Sequence, residues 1–199
     1  MSFTSTYIAG AVGAGDTDRY CETQNMKVGA LTLTVTLTPG NGARKVTCTR
    51  TVDGNADTPG TLLVTGKNLA GQTITETLIP GAHTVLVTGT KYFSSITSVV
   101  GAGWVIDGNN DTIVVGMAAE NHLAVGGGTI HGIYISTTAA GTITVTDASG
   151  TIMLLPVSAA VGLYEFDIDY VGFLRVETAA ASDIFVIHTP SSALDYATS

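Results

Sequence analysis

From Lys45 to Gly116 the chain alternates aliphatic residues with threonine, and glycine, proline, asparagine or aspartate interrupts the alternation every few residues. Alternation with period two marks a strand with one buried and one wet face, and the interruptions are turn chemistry. The tract therefore reads as a complete antiparallel β-domain. Composition agrees: 45% of residues are hydrophobic but only 7% aromatic and 12% charged, the last about half the usual ~25%. Val, Ile and Thr, already restricted at χ1, lose little by being held extended.

In chain order, residues 1–27 keep neither strand nor helix periodicity for long, and Gly10, Gly13 and Gly15 loosen them further. They are expected to form an extended N-terminal arm whose Phe3, Tyr7, Ile8 and Tyr20 pack on a neighbouring subunit; a frayed terminus is the alternative. Val28 to Thr38 (VGALTLTVTLT) is the clearest single strand, with Leu31, Leu33, Val35 and Leu37 on one face. Lys45–Val52 follows, then a hairpin of Thr61–Thr65 and Gln72–Ile79, then Thr84–Thr88, Tyr92–Val100, Trp104–Ile106 and Thr112–Val115. Val125-Gly-Gly-Gly128 has the composition of a hinge and sets a domain boundary. Beyond it, Ile130–Ser136, Gly141–Asp147, Thr151–Leu155, Leu163–Asp169, Phe173–Thr178 and Ile184–His188 are six further strands, with a tight turn at Ser149-Gly150. The expected fold is all-β: two tandem antiparallel β-sandwich domains, residues 28–118 and 125–193, behind the arm.

Several function classes are disfavoured. The net charge of −8 and the lack of a basic cluster larger than Arg44-Lys45 argue against nucleic acid. No apolar run reaches 18 residues, so no membrane partner is expected. The first residues lack the basic and apolar regions of a signal peptide, so synthesis in the cytoplasm without export is expected. Cys21 and Cys48 make no disulfide framework, and Cys48 reads as a small buried hydrophobe.

The candidate sites are few. Asp53, Asn55 and Asp57 in one loop are echoed by Asp107, Asn109 and Asp111 in another, with oxygens at alternate positions as Ca²⁺ would require. Neither loop has the glycine or the bidentate glutamate of an EF-hand, so plain turn chemistry is the stronger reading and no cofactor is expected. Glu165, Asp167 and Asp169 alternate along one strand; they read as a solvated or partner-facing edge rather than a glycosidase pair, which needs two converging elements. Trp104 is either a stacking platform for a sugar or a core or subunit-contact residue, and no acidic–aromatic cluster accompanies it to favour the former. No zinc spacing links His83, His122, His131 and His188, and no G-x-S-x-G elbow is present. The chain is expected not to be an enzyme.

The order ARKVTCTRTVDGNADTPGTLLVTGKNLAGQTITETLIPG, followed by VTGTKYFSSITSVVGAGWVIDGNNDTIVVG, resembles a β-sandwich module of tailed-bacteriophage virion structural proteins. The resemblance covers about residues 43–116 and carries no catalytic residue. It implies a virion structural protein, here expected to be a capsid decoration (cement) protein on the capsid surface, partnered by the major capsid protein and by copies of itself, as a homotrimer. A tail, neck or fibre component is the first alternative, and a carbohydrate-binding β-sandwich module using Trp104 or the Asp-Gly-Asn loops is the second. The physical reading agrees: a mean hydropathy of +0.37 in so weakly charged a chain favours burial of outer surface against other subunits.

Overall fold

The computed structural model describes residues 15–26, 29–36, 42–53, 57–105, 111–179 and 183–190, and the main chain of 4–8. The described residues are all-β, in several antiparallel sheets with no helix. The chain divides into two compact units. The N-terminal unit comprises residues 15–38 and 44–119; the C-terminal unit comprises 120–199 together with 1–14 and 39–43.

In the N-terminal unit, β2 (Asp16–Asn25), β9 (Thr112–His122), β4 (Ala43–Thr51) and β7 (Leu86–Phe93) form one sheet, adjacent in that order. The second sheet is β3 (Gly29–Ala30), β8 (Ser95–Ala102), β5 (Thr61–Lys67) and β6 (Thr73–Leu78). Inward residues of both sheets form one core, to which Val46, Cys48, Ile113 and Val115 contribute from the first and Leu62, Val64, Ile96 and Val99 from the second. The expected hairpin is present, β5 pairing with β6 from Leu62↔Leu78 to Lys67↔Thr73. Its turn is built by Asn68, whose Oδ1 accepts from the amides of Ala70 and Gln72, both at 3.0 Å, while Gly71 supplies a φ of +75°. Gly66 has no room for a side chain: a Cβ there would collide with the Ser95 carbonyl and the Phe93 ring.

The strongest sequence signal is only partly a ladder strand. Of Val28–Thr38, Gly29–Ala30 alone pairs regularly, with β8; Val28, Leu37 and Thr38 lie outside the described residues. Residues 31–36 do alternate as expected, Leu31 buried and the threonines exposed, but their backbone groups go to two different sheets. The Leu31 amide donates to the Val99 carbonyl (2.9 Å) and the Thr36 carbonyl accepts from Ile96 (2.7 Å), whereas the Thr34 amide donates to Tyr20 of β2 (2.8 Å). Gln24 of β2 clamps the same segment, its Nε2 donating to the Thr32 carbonyl (2.7 Å) and its Oε1 accepting from the Thr32 amide (2.8 Å). Alternation reports which side of a segment is buried and says nothing of where its amides find partners. At another edge Glu76 of β6 accepts from the Thr90 amide (2.6 Å) and hydroxyl (2.9 Å) of β7. Side chains and an irregular segment thus lace the two sheets together at edges where no ladder joins them.

In the C-terminal unit, β1 (Thr4–Ile8), β16 (Ile184–Pro190), β11 (Gly128–Ile135) and β14 (Gly162–Tyr170) form one sheet. The other is β10 (Ala124–Val125), β15 (Phe173–Thr178), β12 (Ile143–Asp147) and β13 (Gly150–Leu155). Ile130, Ile133, Ile184 and Val186 meet Ile143, Val145, Leu174 and Val176 in its core. All six strands expected here are present. The Ser149-Gly150 turn is closed by Asp147, whose Oδ1 accepts from the Ser149 amide (2.8 Å) and hydroxyl (2.6 Å) and whose Oδ2 accepts from the Val171 amide (2.9 Å).

Two expectations need correction. The stretch expected to form an extended arm on a neighbouring subunit is, where described, paired within its own chain: Thr4–Ile8 adds to the edge of a sheet through β16, and Asp16–Asn25 pairs with β9. Their irregular composition concealed this because β2 is bulged, its register with β9 shifting twice between Asp16 and Gln24. The Val125–Gly128 stretch is not a free hinge either. Val125 pairs with Phe173, the Gly126 amide donates to Gly172 (2.7 Å), and Gly128 begins β11.

Candidate functional sites

The two Asp-Gly-Asn loops connect strands that are neighbours in both sheets: β4 to β5, and β8 to β9. Adjacent strands bring the loop ends together, and each caps the other. The Asp111 amide donates to Oδ2 of Asp57 (2.9 Å), and the Asp57 amide donates to Oδ2 of Asp111 (3.2 Å). Oδ1 of Asp111 accepts from the Asp53 amide (3.1 Å). Asp57 and Asp111 are buried, and the buried Arg50 lies beside them, with Nη1 donating to the Asp57 carbonyl (2.9 Å) and 3.8 Å from Oδ2 of Asp111. A bridge between Thr58 and Val105 continues the pairing. The sequence echo is therefore a reciprocal clasp in which the carboxylates serve backbone amides. Asn55, Asp107 and Asn109 lie outside the described residues. Among the described residues no group of three His, Cys, Asp or Glu side chains could hold a metal ion.

The acidic row lies on β14, an edge strand of its sheet. Glu165, Asp167 and Asp169 are exposed and alternate with the half-buried Tyr164, Phe166 and Ile168. A β-bulge in β11 between Ile130 and Gly132 places His131 against this row. His131 Nδ1 is 2.6 Å from Oδ1 of Asp167, and its Nε2 is 2.9 Å from the Thr189 hydroxyl of β16. Asp169 accepts from the Thr129 hydroxyl (2.7 Å). Carboxylate, imidazole and hydroxyl are in triad order, but the Asp167 side chain is 79% exposed. On this open sheet face water screens its charge, so the array works as a cross-strand clasp that fixes the bulge.

The expected interface residues fall in different places. Tyr20 is fully buried in the core of its own unit and Trp104 is 8% exposed, so neither presents a ring to a partner or a sugar. Tyr7 and Ile8 stand opposite Phe185 and Ile184 in the β1–β16 ladder; Phe3 lies outside the described residues. Both cysteines are buried and free, as expected for Cys48, and burial pushes the Cys21 thiol up to about 11 and the Cys48 thiol to about 12.

Sequence reasoning missed two features. His188 shares the inward face of β16 with Ile184 and Val186 and is 2% exposed. Neither ring nitrogen has a hydrogen-bond partner among the described residues, and its ring meets that of Tyr170 edge-on, centroids 6.4 Å apart. Burial, with a smaller contribution from the nearby His131, lowers its pKa to about 4. Residue parity along β16 would have placed it inside. The second is a set of exposed large apolar side chains, among them Ile79, Val85 and Leu86 in the N-terminal unit and Leu154, Val157 and Leu163 in the C-terminal unit. No protein family, curated protein or solved structure matches the chain.

Proposed function

We propose that this chain is a non-enzymatic virion structural protein, a capsid decoration protein that binds at junctions of shell subunits and stabilises the assembled shell. The observation that carries the reading is the exposure of large aliphatic side chains on both units, and of Tyr134 and Phe185 on the C-terminal one, in so weakly charged a chain. A solitary protein keeps such side chains dispersed, whereas a protein built to dock covers them. The resemblance of residues 43–116 to virion modules supports the same class. Each unit, with two four-stranded sheets around one core, is read as a β-sandwich, and the pair as tandem domains. The preferred state is a homotrimer at local three-fold positions.

The mechanism is mass action: a protein that binds only the assembled lattice stabilises it by its binding free energy. Shells prepared with and without this protein should differ in the temperature at which they release their contents. Equal release temperatures at saturating protein would refute the cement role. Against the carbohydrate-binding alternative stands the burial of Trp104, which leaves no ring face for a sugar to stack on.

A further inference from the structure

The charge of this protein is distributed unevenly. The C-terminal unit holds one basic residue, Arg175, against eight acidic ones, so it carries −7 of the chain's −8. Arg175 sits on β15 and is paired with Glu177 of the same strand. The four strands of the other sheet, β1, β16, β11 and β14, contain no lysine or arginine.

On the outer face of that sheet two rows run side by side. One is apolar and crosses the strands: Leu163 of β14 stands opposite Tyr134 of β11, which stands opposite Phe185 of β16. These side chains are 50%, 40% and 37% exposed, and the two rings lie 6.2 Å apart at 51°. The other row is Glu165, Asp167 and Asp169 along β14, exposed on the same side as Leu163. His131 and Thr129 hold two of these carboxylates against the face, so little side-chain freedom remains to be lost when a partner binds.

We propose that this face is a docking surface for a protein segment presenting arginine or lysine beside an apolar side chain. Each row would meet its complement: apolar area removed from water at the aromatic pair, and cations opposite three carboxylates on a sheet whose strands carry no lysine or arginine. A cation alone is a poor occupant, because alternate residues of a strand are ~7 Å apart, too far for three carboxylates to share one ion. A second copy of the same face is also a poor occupant, since it would set two like-charged rows together. This inference deepens the reading of the protein as a docking subunit by naming the face and the chemistry of its partner.

The test uses the full chain, ¹⁵N-labelled, titrated at low salt with a synthetic peptide of alternating arginine and leucine, and with its glutamate-for-arginine counterpart. The expected result is amide shifts confined to β1, β11, β14 and β16 with the arginine peptide only. Affinity should fall about tenfold or more in both Tyr134→Ser/Phe185→Ser and Glu165→Gln/Asp167→Asn. No shifts at millimolar peptide, shifts scattered over both units, or unchanged affinity in the apolar double variant would overturn the proposal. So would sedimentation showing that the free chain dimerises through this face. If Tyr134→Ser/Phe185→Ser still stabilises shells as the parent chain does, the face is wrong and the decoration reading survives; if the parent chain has no effect on shells while the peptide binds as described, the reverse holds.

Discussion

The buried imidazole of His188 makes the C-terminal unit sensitive to mild acid. Unfolded, a histidine titrates near 6.5; folded, this one is held down to about 4 by burial, with both nitrogens lacking partners among the described residues. Between those values the unfolded chain binds a proton that the folded chain refuses, so stability falls as the pH falls. His188 contributes its full stabilisation above pH 6.5, loses it progressively toward pH 4, and contributes none below. At 1.36 kcal/mol per pKa unit, the loss across that window is about 3 kcal/mol. Asp147 acts in the same direction but lower. Burial opposes ionisation of its carboxyl, yet bonds from Ser149, Val171 and Gly150 outweigh that and hold its pKa below 3.8, so its contribution fades only beneath the His188 window. The assay is urea unfolding at half-unit steps from pH 7.5 to 4, with amide resonances of β11, β15 and β16 following the C-terminal unit and Trp104 fluorescence the N-terminal one. The parent chain should lose about 3 kcal/mol in the C-terminal transition, and His188→Phe should flatten that slope whatever its absolute stability. A parent slope near zero, or an equal slope in the variant, would refute the buried-neutral account.

Three further outcomes are expected. Asp111→Ala removes the acceptor for the Asp53 and Asp57 amides and the anion beside Arg50; the N-terminal unit should lose about 2–4 kcal/mol in the urea transition followed by Trp104 fluorescence. Gly66→Ala forces a methyl group against the Ser95 carbonyl and the Phe93 ring, and the same transition should drop by about 1–3 kcal/mol. Cys21 and Cys48, buried with raised pKa values, should resist a thiol reagent at pH 8 in the folded chain and react at once in denaturant; rapid labelling without denaturant would contradict the burial of both.

The sequence and the structure agree best where strands are short, straight and separated by strong turns. In the C-terminal half, Asp147-Ala-Ser-Gly150 and its like punctuate six strands whose limits differ by only a residue or two from those expected. They agree least at β2 and at residues 31–36. In β2 the bulges put residues out of phase with any period; at 31–36 the period is flawless, but the hydrogen bonds are divided between β2 and β8. The Asp-Gly-Asn echo was visible as a repeat and ambiguous as chemistry: alternate oxygens suit a cation or a turn equally well. The two loops meet only because β4 lies beside β9 and β5 beside β8.

Local chemistry therefore determined that this chain would be all-β, where most turns would fall, and that Cys48 would pack as a small hydrophobe. Those properties follow from side-chain branching, glycine and asparagine backbone preferences, and parity along a strand, all of which act within a few residues. Which strand pairs with which, which carboxylate caps which amide, and that His188 would be sealed in the core while Tyr134, Phe185 and Leu163 line up in one outer row were decided by contacts across tens of residues. Period two is blind to those contacts, because it specifies the side of a strand that faces inward and not the neighbour it meets there.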